Sequence, residues 1–196
     1  MRTFFLFISF ISSLYAFNIN ESLLNMHATL LPKIYLMDYN FQKKSLNKTI
    51  AITILYERSE YKGAQFLKKQ ILKKYANGIK SYKLNVQLVN YNKLNNTHAN
   101  MYYMFPSNKK HTLKAVEKAN KENAITFAYD KEDLKYGIMI SLEVDKKTKP
   151  LLNLEAIREN NISLRPILID ISVIYSNTTQ QPLNSIRVNH TMYYFA

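Results

Sequence analysis

Short apolar runs alternate with amphipathic segments along most of the chain. Residues 49–56, 101–105 and 124–129 are rich in β-branched and aromatic side chains, a composition typical of buried strands. Segments with apolar side chains at helical spacing follow the first two runs. A strand that returns to its sheet through a helix runs parallel to its neighbour. We therefore predict an α/β fold with a mostly parallel sheet flanked by helices.

Three helices are predicted in the first two thirds of the chain from capping residues and apolar spacing. Asn20 or Ser22 is expected to cap the first helix, and Ser59 the second. Ser107 or Asn108 is expected to open the third helix. In this third helix, the residues expected to face the core are Leu113, Val116 and Ala119.

The pattern changes in the last third of the chain. Residues 138–144 and 151–154 are apolar and flank a lysine-rich turn at 145–149, which is the signature of an antiparallel hairpin. Helices are predicted at residues 155–160 and 165–175. We therefore expect the hairpin to form an antiparallel edge of the sheet.

The N-terminus has the features of a secretory signal peptide. Arg2 precedes an apolar run that is too short to span a bilayer, and Ala16 is a small residue suited to cleavage. An uncleaved anchor is the alternative. We predict a cleaved signal at residues 1–16, a single α/β domain at 17–175, a C-terminal tail or extra strand at 176–196, and a periplasmic location. The tail ends in the aromatic residues Tyr193, Tyr194 and Phe195.

The composition argues against an enzyme. Three glycines are too few for a phosphate-binding loop, and the absence of cysteine excludes disulfides, thiolate zinc sites and cysteine nucleophiles. The four histidines lack metal-ligand spacing, and the carboxylates are scattered. Asp130 is the best isolated carboxylate, and a helix cap explains it better than catalysis does. We therefore predict no catalytic residue, no metal ion and no cofactor.

Positive charge is concentrated in one stretch. Between Lys62 and Lys121 the chain has thirteen lysines and one acidic residue, Glu117. Such a stretch favours an acidic protein partner or an anionic lipid surface, although a merely solvated surface is the alternative. Nucleic acid is not expected, because lysine lacks the bidentate fork of arginine. The predicted partner-binding residues are Lys68, Lys69, Lys73, Lys74, Lys110, Lys114 and Lys118.

The first four of these lysines lie on the second predicted helix, and the other three lie on the third. They form one positive surface if both helices cover the same side of the sheet. A doubly wound sheet would instead place the two helices on opposite sides.

Two asparagines near the hairpin have predicted roles. Asn161 lies in a sequence with Glu159 two positions before it and Ser163 two positions after it, which matches the extended acceptor of bacterial oligosaccharyltransferases. We therefore predict a glycan on Asn161, while a helix cap at Ser163 is the alternative interpretation of the same sequence. Asn153 is expected to be a turn or cap residue with a buried hydrogen bond.

The order of these features resembles the YfiR/HmsC family. In that family, a strand ending in aspartate, a glycine before an apolar strand, and an asparagine before a short helix follow one another, and here they match Asp130, Gly137 and Asn153. Residues 163–168 are similar to the family's serine-capped, leucine-rich helix. The resemblance extends over about residues 21–175.

The resemblance implies a small periplasmic regulator that restrains an inner-membrane diguanylate cyclase. Some family members carry disulfides that tune this activity, and a chain without cysteine lacks such control. We therefore expect a non-enzymatic periplasmic protein, alone or as a homo-oligomer, that binds a membrane signalling protein of the diguanylate cyclase or sensor kinase type. Two alternatives stay open: an accessory subunit of a periplasmic envelope assembly, such as a flagellar motor scaffold, and a solute-binding module for an anionic ligand.

Overall fold

A single seven-stranded sheet organises the protein. The computed structural model describes residues 20–176, so the predicted signal peptide and nearly all of the predicted tail lie outside the described residues. The strand order is β2-β1-β3-β4-β5-β6-β7. All neighbouring strands are parallel except β5 and β6, which form the predicted antiparallel hairpin. The predicted fold class is confirmed.

Seven strands and six helices make up the described part of the chain. The strands are β1 (Thr49–Tyr56), β2 (Lys83–Asn90), β3 (Met101–Met104), β4 (Ile125–Ala128), β5 (Ile140–Val144), β6 (Thr148–Leu152) and β7 (Val173–Ile174). The helices are α1 (Glu21–Tyr35), α2 (Phe41–Lys44), α3 (Tyr61–Lys74), α4 (Lys109–Lys121), α5 (Leu154–Glu159) and α6 (Pro166–Asp170). Short 3₁₀ turns connect several of them.

The central strands are buried on both faces, which explains their continuous apolar sequences. All four residues of β3 and all four residues of β4 are buried. β1 has the bounds predicted from its sequence, and its side chains contribute to the core on both faces. A strand covered by helices on both sides needs apolar side chains at every position rather than at alternate ones.

The helices cover opposite faces of the sheet. Residues of α1, α3, α5 and α6 share one core cluster, and α4 belongs to a second. Neighbouring residues of β3 divide between the two, since Tyr103 packs with the first cluster and Tyr102 with the second. The chain moves in one direction from β1 to β2 and in the opposite direction from β3 to β4, and right-handed crossovers then place α3 and α4 on opposite faces.

The predicted caps are confirmed for two helices and wrong for one. The Asn20 side chain accepts a hydrogen bond from the backbone N–H of Leu23, and Asn108 caps α4 in the same way. Ser59 does not cap α3, because it lies in a 3₁₀ turn before that helix and its hydroxyl donates to the Glu60 carboxylate. The side chain of Leu113, predicted to face the core, is 42% exposed.

The C-terminal elements differ from the prediction in two ways. The helix predicted at residues 165–175 ends at Asp170, and Val173 and Ile174 form β7 by pairing with Leu151 and Leu152. β-Branched residues fit a pleated strand well, so an available partner edge determines their conformation. Because β7 is added beyond β6, the hairpin lies one strand inside the edge of the sheet.

The longest helix among the described residues is α1, with 15 residues. No helix in the range 20–176 combines the length and the apolar character that crossing a bilayer requires.

Candidate functional site

α3 presents a positive face that no acid among residues 20–176 neutralises. The helix buries Ala64, Leu67 and Ile71 against the sheet, which leaves the lysines on its outer side. Of the four predicted partner-binding lysines on α3, Lys68 is half-buried and Lys69, Lys73 and Lys74 are exposed. α3 contains no acidic residue, and within residues 20–176 none of its lysines forms an ion pair.

α4 is also rich in lysine, but part of its charge is internally paired. The Lys118 ammonium lies 2.8 Å from the Glu122 carboxylate, and Lys121 lies 2.6 Å from that of Glu117. Lys110 and Lys114 are exposed. Lys118 is therefore less available to a partner than the exposed lysines of α3.

The structure does not join the two lysine sets into one surface. The four lysines of α3 lie on the face covered by α1 and α3, whereas Lys110, Lys114 and Lys118 lie on the face covered by α4. Partner binding by all seven residues stays a prediction, and a single partner surface could engage only one of the two sets at a time.

A polar cluster lies at the carboxyl ends of β1 and β3. The Ser107 hydroxyl donates to Glu57 Oε1 at 2.5 Å, and His111 Nδ1 lies 2.7 Å from the same oxygen. The His111 ring stacks on Tyr91, whose hydroxyl donates to the Phe105 carbonyl. The chain reverses its direction of winding between β1 and β3, and this is where open α/β sheets commonly bind ligands.

The cluster contains the residue types of a catalytic triad but not its connectivity. A serine nucleophile needs its hydroxyl proton to be accepted by a base such as histidine. Here Ser107 and His111 both bond the same carboxylate oxygen of Glu57. The arrangement ties the end of β1 to the start of α4. Sequence analysis missed it because these residues are 50 and 54 positions apart.

His27 is a neutral core residue. It is fully buried, its Nδ1 lies 2.7 Å from the Tyr103 hydroxyl, and its ring makes edge contacts with Tyr103, Phe127 and Tyr129. Burial lowers the pKa of His27 from 6.5 to about 3, because the core disfavours the charged form. Residues 20–176 contain no group of three or more His, Cys, Asp or Glu side chains that could hold a metal ion.

Asp130 and Asn153 are capping residues, as predicted. The Asp130 carboxylate accepts a hydrogen bond from the Glu132 N–H at 3.0 Å. The buried Asn153 amide accepts from the Ala156 N–H and donates to the Leu134 carbonyl, both at 3.1 Å. Asn153 therefore joins the start of α5 to the turn before β5.

Asn161 lies on the surface in the turn after α5. Its backbone has φ +53°, and its side chain is exposed. Ile162 is buried beside it, and the Ser163 carbonyl accepts a hydrogen bond from Tyr39 N–H at 2.8 Å. Ser163 does not cap the next helix, because the N-cap position of α6 is Arg165.

The edge of the sheet opposite α3 carries exposed aliphatic side chains. Five of the eight consecutive residues 167–174 are large, apolar and at least 36% exposed, while Leu168 alone is buried in the core. We call this group the α6–β7 strip, and its members are Ile167, Ile169, Ile171, Val173 and Ile174.

Two depressions on the described surface are candidate ligand sites. One is lined by residues of α4 alone, including Lys110 and Lys114, and the other lies between the end of α3 and the start of β2. A depression lined by one helix cannot enclose most of a ligand's surface, as small-molecule sites usually do.

These observations define an α/β protein with an open sheet. Within residues 20–176, its polar clusters cap helices or join neighbouring elements by hydrogen bonds. The chain belongs to the YfiR/HmsC-like family, whose model matches residues 42–173. The resemblance seen in the sequence is thereby confirmed. This is a family of periplasmic regulatory proteins.

Two solved structures share the fold at low sequence identity. A conserved domain protein from Vibrio cholerae has a TM-score of 0.53 and 12% identity, with 77% of this chain and 59% of that chain covered. The ABC domain from Streptococcus pneumoniae, solved in complex with L-Trp, has a TM-score of 0.51 and 10% identity, with 75% and 61% covered. The matched part of this chain thus spans about three fifths of each structure. No curated protein matches the chain significantly.

Proposed function

We propose that the protein is an exported periplasmic regulator that restrains a membrane signalling protein by binding to it. A diguanylate cyclase is the preferred target, and a sensor kinase is the other target of the same kind. Membership of the YfiR/HmsC-like family supports this role. The signal-like residues 1–16 support export with cleavage after Ala16.

The lysine face of α3 is the observation that identifies the proposed partner-binding surface. Its exposed lysines project from a rigid helix and have no acidic partner among the described residues. Each exposed ion pair contributes about 1 kcal/mol or less, so the face mainly steers an acidic partner toward the correct encounter. The partner surface is therefore acidic, and association with it depends on salt.

The test compares two matched charge reversals. Lys69→Glu with Lys73→Glu changes an exposed i, i+4 pair on α3, and Lys110→Glu with Lys114→Glu changes an equivalent pair on α4. In the native host, deletion of the gene should raise cellular cyclic di-GMP. The α4 variant should restore the wild-type level, and the α3 variant should not.

The same variants can be compared biochemically. Each variant is used to capture the target from detergent-solubilised envelopes at low salt. The α4 variant should retain the target, whereas the α3 variant should not, because its association with the target is slowed on the order of tenfold. An unchanged cyclic di-GMP level in the deletion strain would overturn the cyclase target. Equal behaviour of the two variants would overturn the α3 surface.

A solute-binding role for an anionic ligand is the second candidate. The fold similarity to a domain solved with L-Trp favours it, and the exposed Lys110 and Lys114 of α4 would supply the positive charge. A ligand that raises the melting temperature of the wild-type protein but not of the α4 variant would support this role over the regulatory one.

A further inference from the structure

The α6–β7 strip lies at an edge of the sheet that the described residues leave open. Among residues 20–176, β7 pairs with β6 alone, through Leu151 and Leu152, and the Tyr175 N–H extends this pairing by donating to the Leu152 carbonyl at 2.8 Å. No strand within residues 20–176 pairs with the outer side of β7. The outer edge therefore presents backbone groups that can accept another strand.

Apolar side chains on β7 and in the segment before it are exposed. Successive residues of a strand point to opposite faces, and Val173 and Ile174 are 36% and 45% exposed. Ile167 and Ile171 add side chains that are 59% and 53% exposed. An exposed edge with aliphatic residues is a hazard for aggregation, and proteins usually cover such an edge.

The chain itself contains a segment suited to cover the strip. Residues 184–195 read NSIRVNHTMYYF, in which Ile186, Val188 and Met192 share one set of alternate positions with His190 between them, and the other set is polar as far as Thr191. Such alternation is typical of a strand with one buried face. Residues 177–183 between β7 and this segment are polar except for Pro182 and Leu183, which suits a reversing loop.

We propose that residues 184–195 dock along β7 as an additional antiparallel strand and cover the α6–β7 strip. The nine residues 175–183 allow a hairpin return but are too few for the crossover that a parallel strand requires. The segment is tethered to β7 by nine residues, so its effective concentration at the edge is on the order of millimolar. A second copy of the chain at micromolar concentration competes poorly with it.

The experiment uses the mature full-length chain and three variants. One variant ends at Ser176. Another carries Ile186→Asn and Val188→Asn on the apolar side of the alternation, and its matched control carries Arg187→Ser and Asn189→Ser on the polar side. Hydrogen exchange is measured by mass spectrometry, ANS fluorescence reports exposed apolar surface, and light scattering gives the oligomeric state.

Peptides covering 184–195 should exchange more slowly than an unstructured chain, on the order of tenfold or more, at concentrations where the protein is monomeric. ANS fluorescence should rise severalfold in the truncated and apolar-side variants and stay unchanged in the control. Unprotected exchange in the full chain overturns the proposal whether or not the truncated variant folds. Protection that appears only with dimer formation also overturns it, because a second copy would then cover the strip.

Discussion

Replacing His27 should change how the stability of the protein depends on pH. In the folded protein the His27 pKa is about 3, compared with 6.5 for an exposed histidine. The unfolded chain therefore binds a proton below pH 6.5 that the folded protein does not bind. The contribution of His27 to stability is complete above pH 6.5 and is lost progressively as the pH falls toward 3.

The size of the effect follows from this difference in pKa. Each pH unit below 6.5 lowers the free energy of unfolding by about 1.4 kcal/mol through His27 alone. The loss reaches about 2 kcal/mol at pH 5 and approaches about 5 kcal/mol near pH 3. A domain of ordinary stability has about 5–15 kcal/mol, so the effect at pH 5 is large enough to measure.

The assay is urea unfolding followed by far-UV circular dichroism between pH 7.5 and pH 4.5. The test variant is His27→Gln, which does not titrate and can still bond the Tyr103 hydroxyl. The control is His98→Gln, because the His98 side chain is 67% exposed. Groups other than His27 and His98 titrate in all three proteins, so their contributions cancel in the comparison.

The wild type and the control should lose stability in parallel as the pH falls, whereas His27→Gln should lose about 2 kcal/mol less by pH 5. If the curves of His27→Gln and the wild type have the same slope over this range, His27 is not desolvated as its burial indicates, and the reasoning fails.

Two further predictions concern the asparagines near the hairpin. Asn153→Ala should lower the free energy of unfolding by about 1–2 kcal/mol, because it removes the cap on the Ala156 N–H and the Asn153 hydrogen bond to the Leu134 carbonyl, which keeps only the bond from the Gly137 N–H. Urea unfolding at pH 7 measures this, and a loss below about 0.5 kcal/mol would contradict it. In a host with the matching transferase, Asn161 should carry a glycan, so Asn161→Gln should lower the intact mass of the purified protein by one glycan. Equal glycan content in the two proteins would place any modification elsewhere.

The sequence predicted the elements best where one physical signal dominated. β1 has its predicted bounds because eight residues suited to a buried strand are flanked by charged residues. The helix predicted at 165–175 was wrong at its end, because the aliphatic residues there fit both the spacing of a helix and the alternation of a strand. Its pairing partners Leu151 and Leu152 lie 22 positions earlier in the chain, which no local pattern reveals.

The candidate surfaces were predictable only as lists of residues. The lysines of α3 and α4 stand out in the sequence, yet their distribution over two faces depends on strand order, which local spacing does not encode. The acids that neutralise part of α4 are visible in the sequence at helical spacing, as in the pair of Lys118 and Glu122. The cluster of Glu57, Ser107 and His111 forms only when β1 and β3 become neighbours.

The order of the strands also has a consequence for the speed of folding. β1 lies between β2 and β3, and Met101, the first residue of β3, pairs with Ile52, 49 positions earlier in the chain. Contacts between such distant parts of a chain form slowly, because the intervening loop must close before any pairing is gained. β1 therefore gains its partner β3 only after β2 and the long segment between them have been synthesised.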